Sequence, residues 1–297
     1  MEERIEQAFL KVWPNGSADT REYLRPLISG FAQSDCADAH FLDELGCGEL
    51  AKFAARIWEA MLYARFQGLG WNVSSANVGP DFTLETPVGP VHIEAVAAGP
   101  GDPDGSGLPR EWQERVTGQA TTVPLDHMLL RWTNALSGKL HKYLRDVGCG
   151  NADGSIPFVV AINSCLLGPD EHHICGLPLA VTAVFPFGTP VVTMDVATGE
   201  ITDSRIEWRD TILNANDAPV PMDSFLSPDY ACVSAIIGCS GFFVPEEARD
   251  KFHGQPAYVV VHNPKATNPL PQPWLPGAIE YVAKDIADGA MRVTRIQ

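Results

Sequence analysis

Gly79-Pro80-Asp81-Phe82-Thr83-Leu84-Glu85-Thr86-Pro87-Val88-Gly89-Pro90-Val91-His92-Ile93-Glu94-Ala95-Val96 is the stretch from which the fold of this chain is read. Phe82 to Glu85 reads as a short strand, Thr86 to Pro90 as a turn rich in Pro and Gly, and Val91 to Ala98 as an apolar strand, which together predict a β-hairpin. Residues two apart on a strand share a face, so His92, Glu94 and Val96 point the same way. The restricted backbone of Pro80 sets the approach of the chain to Asp81. An acid within the apolar Ile93–Ala98 run is costly to bury unless something pairs with it. Asp81 and Glu94, brought together by the hairpin, repel each other and need a cation to stay ionised. A hard divalent ion with oxygen ligands, Mg²⁺ or Mn²⁺, suits such a pair.

Upstream, residues 49–69 form the clearest helix. Leu50, Phe53, Ala54, Ile57, Trp58, Met61 and Leu62 recur at three-to-four spacing, and Gly68 and Gly70 end it. Glu59 sits on the margin of this apolar arc, either as a solvated helix glutamate or as a third acid reaching a site at the sheet edge. Glu2 to Trp13, Thr20 to Phe31 and Asp38 to Leu45 read as earlier helices. Downstream, a helix is expected from Leu125 to Val147, with a buried stripe of Leu129, Trp132, Leu136, Leu140, Tyr143 and Leu144. The buried strand Phe158–Ile162 follows. Helix, hairpin, helix, strand is an α/β order and predicts a mixed sheet flanked by helices. Ala180–Phe185, Val191–Met194, Ile201–Ile206, Ala231–Ile237 and Tyr258–His262 read as further strands. A single domain is expected, with a helical cap at 1–48, a core at 49–165 and a β-rich extension at 166–297.

Lys139 falls on the flank of the stripe beside Trp132 and Tyr143, where it can extend an ammonium across apolar surface toward Glu94. The ammonium is expected within ~4–6 Å of the Glu94 carboxylate, close enough to depress the pKa of that acid. Arg131 and Lys142 fall on the far side and are expected to be solvated or to contact backbone, away from Glu94.

The order of these elements, with Pro80-Asp81, Ile93-Glu94-Ala95-Val96 and Lys139-x-x-x-Tyr143, resembles the PD-(D/E)XK (restriction-endonuclease-like) nuclease superfamily over roughly residues 50–165. That resemblance implies a restriction-endonuclease-like sheet and a metal site on Asp81 and Glu94, with Glu59 as the helix acid that RecB-like members carry. It also implies a lysine two residues after Glu94, where this chain has Val96. Lys139 is the expected replacement, and Lys139-x-x-x-Tyr143 is similar to the Gln-x-x-x-Tyr element of RecB-like nucleases. The implied activity is divalent-metal-dependent hydrolysis of phosphodiester bonds, in DNA more than RNA. Asp81, Glu94, Lys139 and Glu59 are its site residues, and His92 and Tyr143 are possible accessories. The alternative implied by Val96 is a catalytically inactive protein of the same fold that binds protein or nucleic acid.

The composition, 45% hydrophobic and 20% charged over 297 residues, is that of a globular chain. The net charge of −16, from 21 basic and 37 acidic residues, opposes non-specific binding to nucleic acid and admits a basic protein partner. No apolar run approaches the ~18–20 residues of a membrane span. The acidic N-terminus lacks the basic start of a signal peptide, so a cytoplasmic chain is expected. Seven scattered cysteines contain no Cys-x-x-Cys pair. Cys36 with His40, and His172-His173-Ile174-Cys175, each lack a second half at zinc spacing. The Asp102-x-Asp104-Gly105 loop has Gln113 where a calcium loop needs Glu, and Phe242 breaks a nucleophile-elbow pattern after Ser240.

Overall fold

The structure, a computed structural model, describes residues 1–76, 78–114, 120–168, 176–241, 258–285 and 291–297. Three helices, α1 (Glu2–Val12), α2 (Ala18–Ala32) and α3 (Phe41–Leu45), precede the long α4 (Leu50–Gly68). Then come β1 (Asn72–Ser74), β2 (Phe82–Thr86), β3 (Gly89–Ala97), the short α5 (Arg110–Gln113), α6 (Leu125–Gly148) and β4 (Phe158–Asn163). The remaining elements are α7 (Leu179–Thr182), β5 (Phe187–Met194), β6 (Ile201–Trp208), β7 (Thr211–Leu213), β8 (Pro219–Pro221), β9 (Val233–Cys239), β10 (Val259–His262), β11 (Ile279–Asp285) and β12 (Met291–Arg295).

Among the described residues eight strands form one mixed sheet, in the order β1-β2-β3-β4-β9-β10-β11-β12. The first three are an antiparallel meander, with Phe82 opposite Ile93. Strand β4 then runs parallel to both β3 and β9. Parallel neighbours need a crossover, and α6 supplies the one between β3 and β4. All six residues of β4 and all seven of β9 are buried, as expected for strands covered on both faces. Helices α1–α4 cover one face over Phe82, Leu84, Ile93, Ala95, Val159 and Ala161. Helices α6 and α7 cover the other over Phe158, Val160, Ile162 and Ile236. The two-residue period therefore sends Ile93 and Ala95 toward α4 and Glu94 toward α6. Trp58 on α4 donates Nε1–H to the Ala161 carbonyl at 2.9 Å, and the Tyr143 ring stacks on Phe158 at 3.7 Å. Both helices are thus seated on the same strand.

Three expectations change. Ala180–Phe185 is not a strand: the run opens at Pro178 with the helix α7, all of it buried. A short apolar segment carries no period that separates the two outcomes. Leu144 is 47% exposed, because it lies beyond Leu140 on the outer rim of the α6 stripe. The strands read at Val191–Met194 and Ile201–Ile206 do form, in β5 and β6, but as a two-stranded ribbon apart from the main sheet. Val192, Met194, Ile201 and Trp208 stand exposed on it. The His172–Cys175 cluster, Phe242 and Phe243 lie outside the described residues.

Strands β10 and β11 are parallel neighbours joined by residues 263–278. Glu280, fully buried, anchors this segment. Its carboxylate accepts the backbone N–H groups of Trp274 at 2.9 Å and Leu275 at 2.6 Å and pairs with His262 Nε2 at 2.6 Å. Replacing it with an apolar side chain strands all three polar groups. Glu280→Leu should therefore lose about 3–5 kcal/mol in urea unfolding. A loss below about 1 kcal/mol would show that the segment holds its place without this carboxylate.

Candidate active site

Glu94 projects from β3 onto the α6 side of the sheet, with no exposed side-chain surface. A carboxylate so placed requires cationic partners, and α6 delivers two. Lys139 Nζ stands 2.7 Å from Glu94 Oε2 and 2.9 Å from Asp81 Oδ2. Asp81, just ahead of β2, also accepts the Ala95 N–H through Oδ2 at 2.8 Å. Adjacent strands therefore bring the two acids to a single ammonium, as the hairpin reading requires. Lys139 reaches Glu94 as the helical spacing predicted.

Lys142 does not stay away. Its ammonium bonds Glu94 Oε1 and the Gly79 carbonyl, the latter at 2.7 Å. It also lies 3.4 Å from Asp146 Oδ2 and 3.9 Å from Asp81 Oδ1. The backbone contact expected of Lys142 forms, but the expectation that it stays away from Glu94 fails, for a geometric reason. Residues three and four apart on a helix are surface neighbours, so Lys139, Lys142 and Asp146 share one flank. The long lysine stem then carries the charge back to the buried acid. Gly79 has φ +101°, and a Cβ there would lie 2.5 Å from the Asn151 carbonyl oxygen. Only glycine can present its carbonyl to Lys142 in this way.

Glu59 does not join this cluster directly. It lines the same cleft but pairs with Arg56 at 2.7 Å, and Arg56 also holds Asp38 at 3.1 Å and Glu44 at 2.5 Å. His92 packs behind the site, with Nδ1 3.1 Å from Thr83 Oγ1 and Nε2 buried without a hydrogen bond. The Tyr143 hydroxyl donates to the Asp153 carbonyl at 3.2 Å, and burial pushes its pKa up to about 12. His92 and Tyr143 thus support the floor of the site rather than face the carboxylates. Sequence reasoning missed Arg56, Gly79 and Asp146. The one available signal for Asp146 was its four-residue spacing from Lys142.

The cleft, about 430 Å³, is lined by Asp35, Asp38, Glu59, Asp81 and Asp146 against Arg56 and Lys142. Burial and then Asp81 raise the Glu94 carboxyl, with both lysines opposing. Burial also lifts Asp81, but Lys139 and the Ala95 N–H outweigh it and its pKa falls below the ordinary value. Burial works against the charge of Lys139, yet Asp81 and Glu94 more than restore it and its pKa rises. Among the described residues no three His, Cys, Asp or Glu side chains are gathered around an open cation position. The carboxylates are gathered around ammonium groups instead. The donor chemistry still fits a hard divalent ion, since the groups converging here are carboxylate and carbonyl oxygens and Asp81 lines the cleft.

Burial raises Glu59 from its ordinary 4.5 to about 7, with Asp81 adding to the rise and Arg56 and Lys139 opposing it. The folded chain then holds a proton that the unfolded chain has released. Its contribution is complete below the unfolded pKa and is lost as pH rises toward 7. The stability difference between Glu59→Gln and wild type should move in favour of the variant by about 1–3 kcal/mol between pH 4.5 and 8, read from urea midpoints. Parallel pH profiles for the two proteins would contradict a raised carboxyl.

No family model matches the chain, and neither a curated protein nor a solved structure is significantly similar to it.

Proposed function

We propose that the protein is a divalent-metal-dependent nuclease with a restriction-endonuclease-like core, acting on DNA in preference to RNA. The observation that carries this reading is one ammonium, Lys139, shared by Asp81, just ahead of β2, and the buried Glu94 of β3, with Asp81 lining the cleft. Asp81 and Glu94 would hold Mg²⁺ or Mn²⁺. The ion would supply Lewis-acid polarisation of a phosphoryl oxygen and acidify the attacking water.

The chain's own residues account for the rest. Lys139 stays protonated, so it acts as a fixed donor and positive charge rather than as a base. It orients a water at the carboxylates and offsets charge that develops on the phosphoryl group. Its origin on α6 makes the valine at position 96 compatible with activity, because the ammonium arrives from across the sheet face. Glu59, with its pKa near 7, is poised to exchange a proton at the cleft wall. The acid excess of the lining repels a polyanion until cations neutralise it, which favours a metal requirement and strong salt dependence.

A second reading has one specific observation in its favour: each carboxylate of the site already has a cationic partner from its own chain. A protein or nucleic-acid-binding module that retains a nuclease-like core without catalysis would have such saturated acids.

Incubation with plasmid DNA and with structured RNA, in Mg²⁺ or Mn²⁺ and in EDTA at low salt, separates the two. The nuclease reading expects metal-dependent nicking, and Lys139→Gln should lower it about 10²-fold or more while its thermal melt stays cooperative. Cleavage in neither nucleic acid, with no Mn²⁺ uptake by calorimetry, would leave the binding module. Equal activity in Lys139→Gln and wild type would remove Lys139 from the chemistry.

A further inference from the structure

Four oxygen atoms surround the Lys142 ammonium: Glu94 Oε1, the Gly79 carbonyl, Asp146 Oδ2 and Asp81 Oδ1. We propose that this oxygen cage is the divalent-cation position, that Asp146 rather than Glu59 is its third acid, and that Lys142 is a tethered cation which the metal displaces. The choice of a divalent ion rests on the metal-dependent reading above.

The cage has the chemistry of a hard-cation site, all oxygen, with three carboxylates and one backbone carbonyl. Asp146 supplies independent support. The residue is only 9% exposed, and Oδ2 is buried and accepts no hydrogen bond, although it lies 3.4 Å from Lys142 Nζ. A buried carboxylate oxygen left without a donor is costly, and a metal ligand bond would satisfy it. Gly79 is the second fixed element. Its positive φ and its closeness to Asn151 hold the carbonyl in place whether or not Lys142 is there.

Charge leads the same way. Asp81, Glu94 and Asp146 carry three negative charges when ionised, while Lys139 and Lys142 carry two positive. Exchanging Lys142 for a divalent ion raises the positive charge to three and balances the cluster. The two lysines are not equivalent in this exchange. Lys139 bridges two carboxylates with 19% of its side chain exposed, whereas Lys142 is 31% exposed and lines the cleft. Lys142 can therefore swing outward without leaving its helix, and the released ammonium would stand where a phosphate enters. Glu59 falls outside the ligand set because its ion pair is with Arg56 and not with the Lys142 ammonium.

Two measurements on the full chain test this without reading activity. In Mn²⁺ titration calorimetry, Lys142→Met should bind at least about tenfold more tightly than wild type, because no internal cation competes. Asp146→Asn should bind about 10–100-fold more weakly. In amine acylation followed by mass spectrometry of the wild-type protein, saturating Mn²⁺ should raise modification of Lys142 several-fold and leave Lys139 unchanged. The acylation measurement decides the matter if Lys142→Met does not fold.

Wild type that binds Mn²⁺ no less tightly than a folded Lys142→Met, with unchanged acylation of Lys142, would overturn the tethered cation while leaving the metal-dependent reading intact. Unaltered affinity in Asp146→Asn would remove that residue from the ligand set. Absence of Mn²⁺ binding in both the wild-type protein and a folded Lys142→Met would sink the metal-dependent reading together with this inference.

Discussion

A carboxylate buried in the middle of a sheet is the constraint around which this molecule is arranged. Glu94 has no exposed side-chain surface, and an isolated ionised carboxylate there would cost several kcal/mol even after relaxation. Burial of that acid requires α6 to lie across β3 with the Lys139–Lys142 flank turned inward. The same demand draws the Gly79–Asp81 turn onto the cluster, because Lys142 bonds the Gly79 carbonyl and Lys139 bonds Asp81. Packing and electrostatics agree here. The stripe that seats α6 on Phe158 and Val160 leaves the two lysines beside the acid.

The second charge centre, around Arg56, has a different character. Arg56 gathers Asp38, Glu44 and Glu59, tying the N-terminal helices to α4 along the opposite wall of the cleft. Burial, with Asp81 adding to it, outweighs Arg56 and Lys139 and raises Glu59 to about 7. The cleft is therefore bounded by one wall where Lys142 faces Asp81 and Asp146 and another where Arg56 is outnumbered by acids. A phosphate would meet repulsion from the second wall, so any anionic substrate depends on added cations, whatever their source.

Away from the cleft, the β-rich half buries another acid by a different route. Glu280 is satisfied mainly by backbone N–H groups and by His262, a network that lets β10 and β11 run parallel with an irregular connection between them. The outermost strand, β12, presents Arg292 and Arg295, and charge on an edge strand discourages pairing with another chain. On the β5–β6 ribbon Val192, Met194, Ile201 and Trp208 stand exposed beside the charged Asp203, Arg205 and Glu207.

Local periodicity carried much of this architecture. The three-to-four spacing of α4 and α6, the hairpin bounded by Pro and Gly, and the apolar β4 are properties of short windows, and the structure has each of them near its predicted place. Asp81, Glu94 and Lys139 were legible for the same reason, since strand pairing and one helix face suffice to converge them. Strands β11 and β12 were not legible, because buried Glu280 breaks the apolar alternation of one and the other is an exposed edge. The path of Lys142, the part of Asp146, the aim of the Gly79 carbonyl and the pairing of Glu59 with Arg56 were decided by tertiary structure alone. Each depends on a long side chain or a single carbonyl turning toward a charge brought near by another element. That choice is set by burial and Coulomb attraction across the fold, and nothing in the local sequence encodes it.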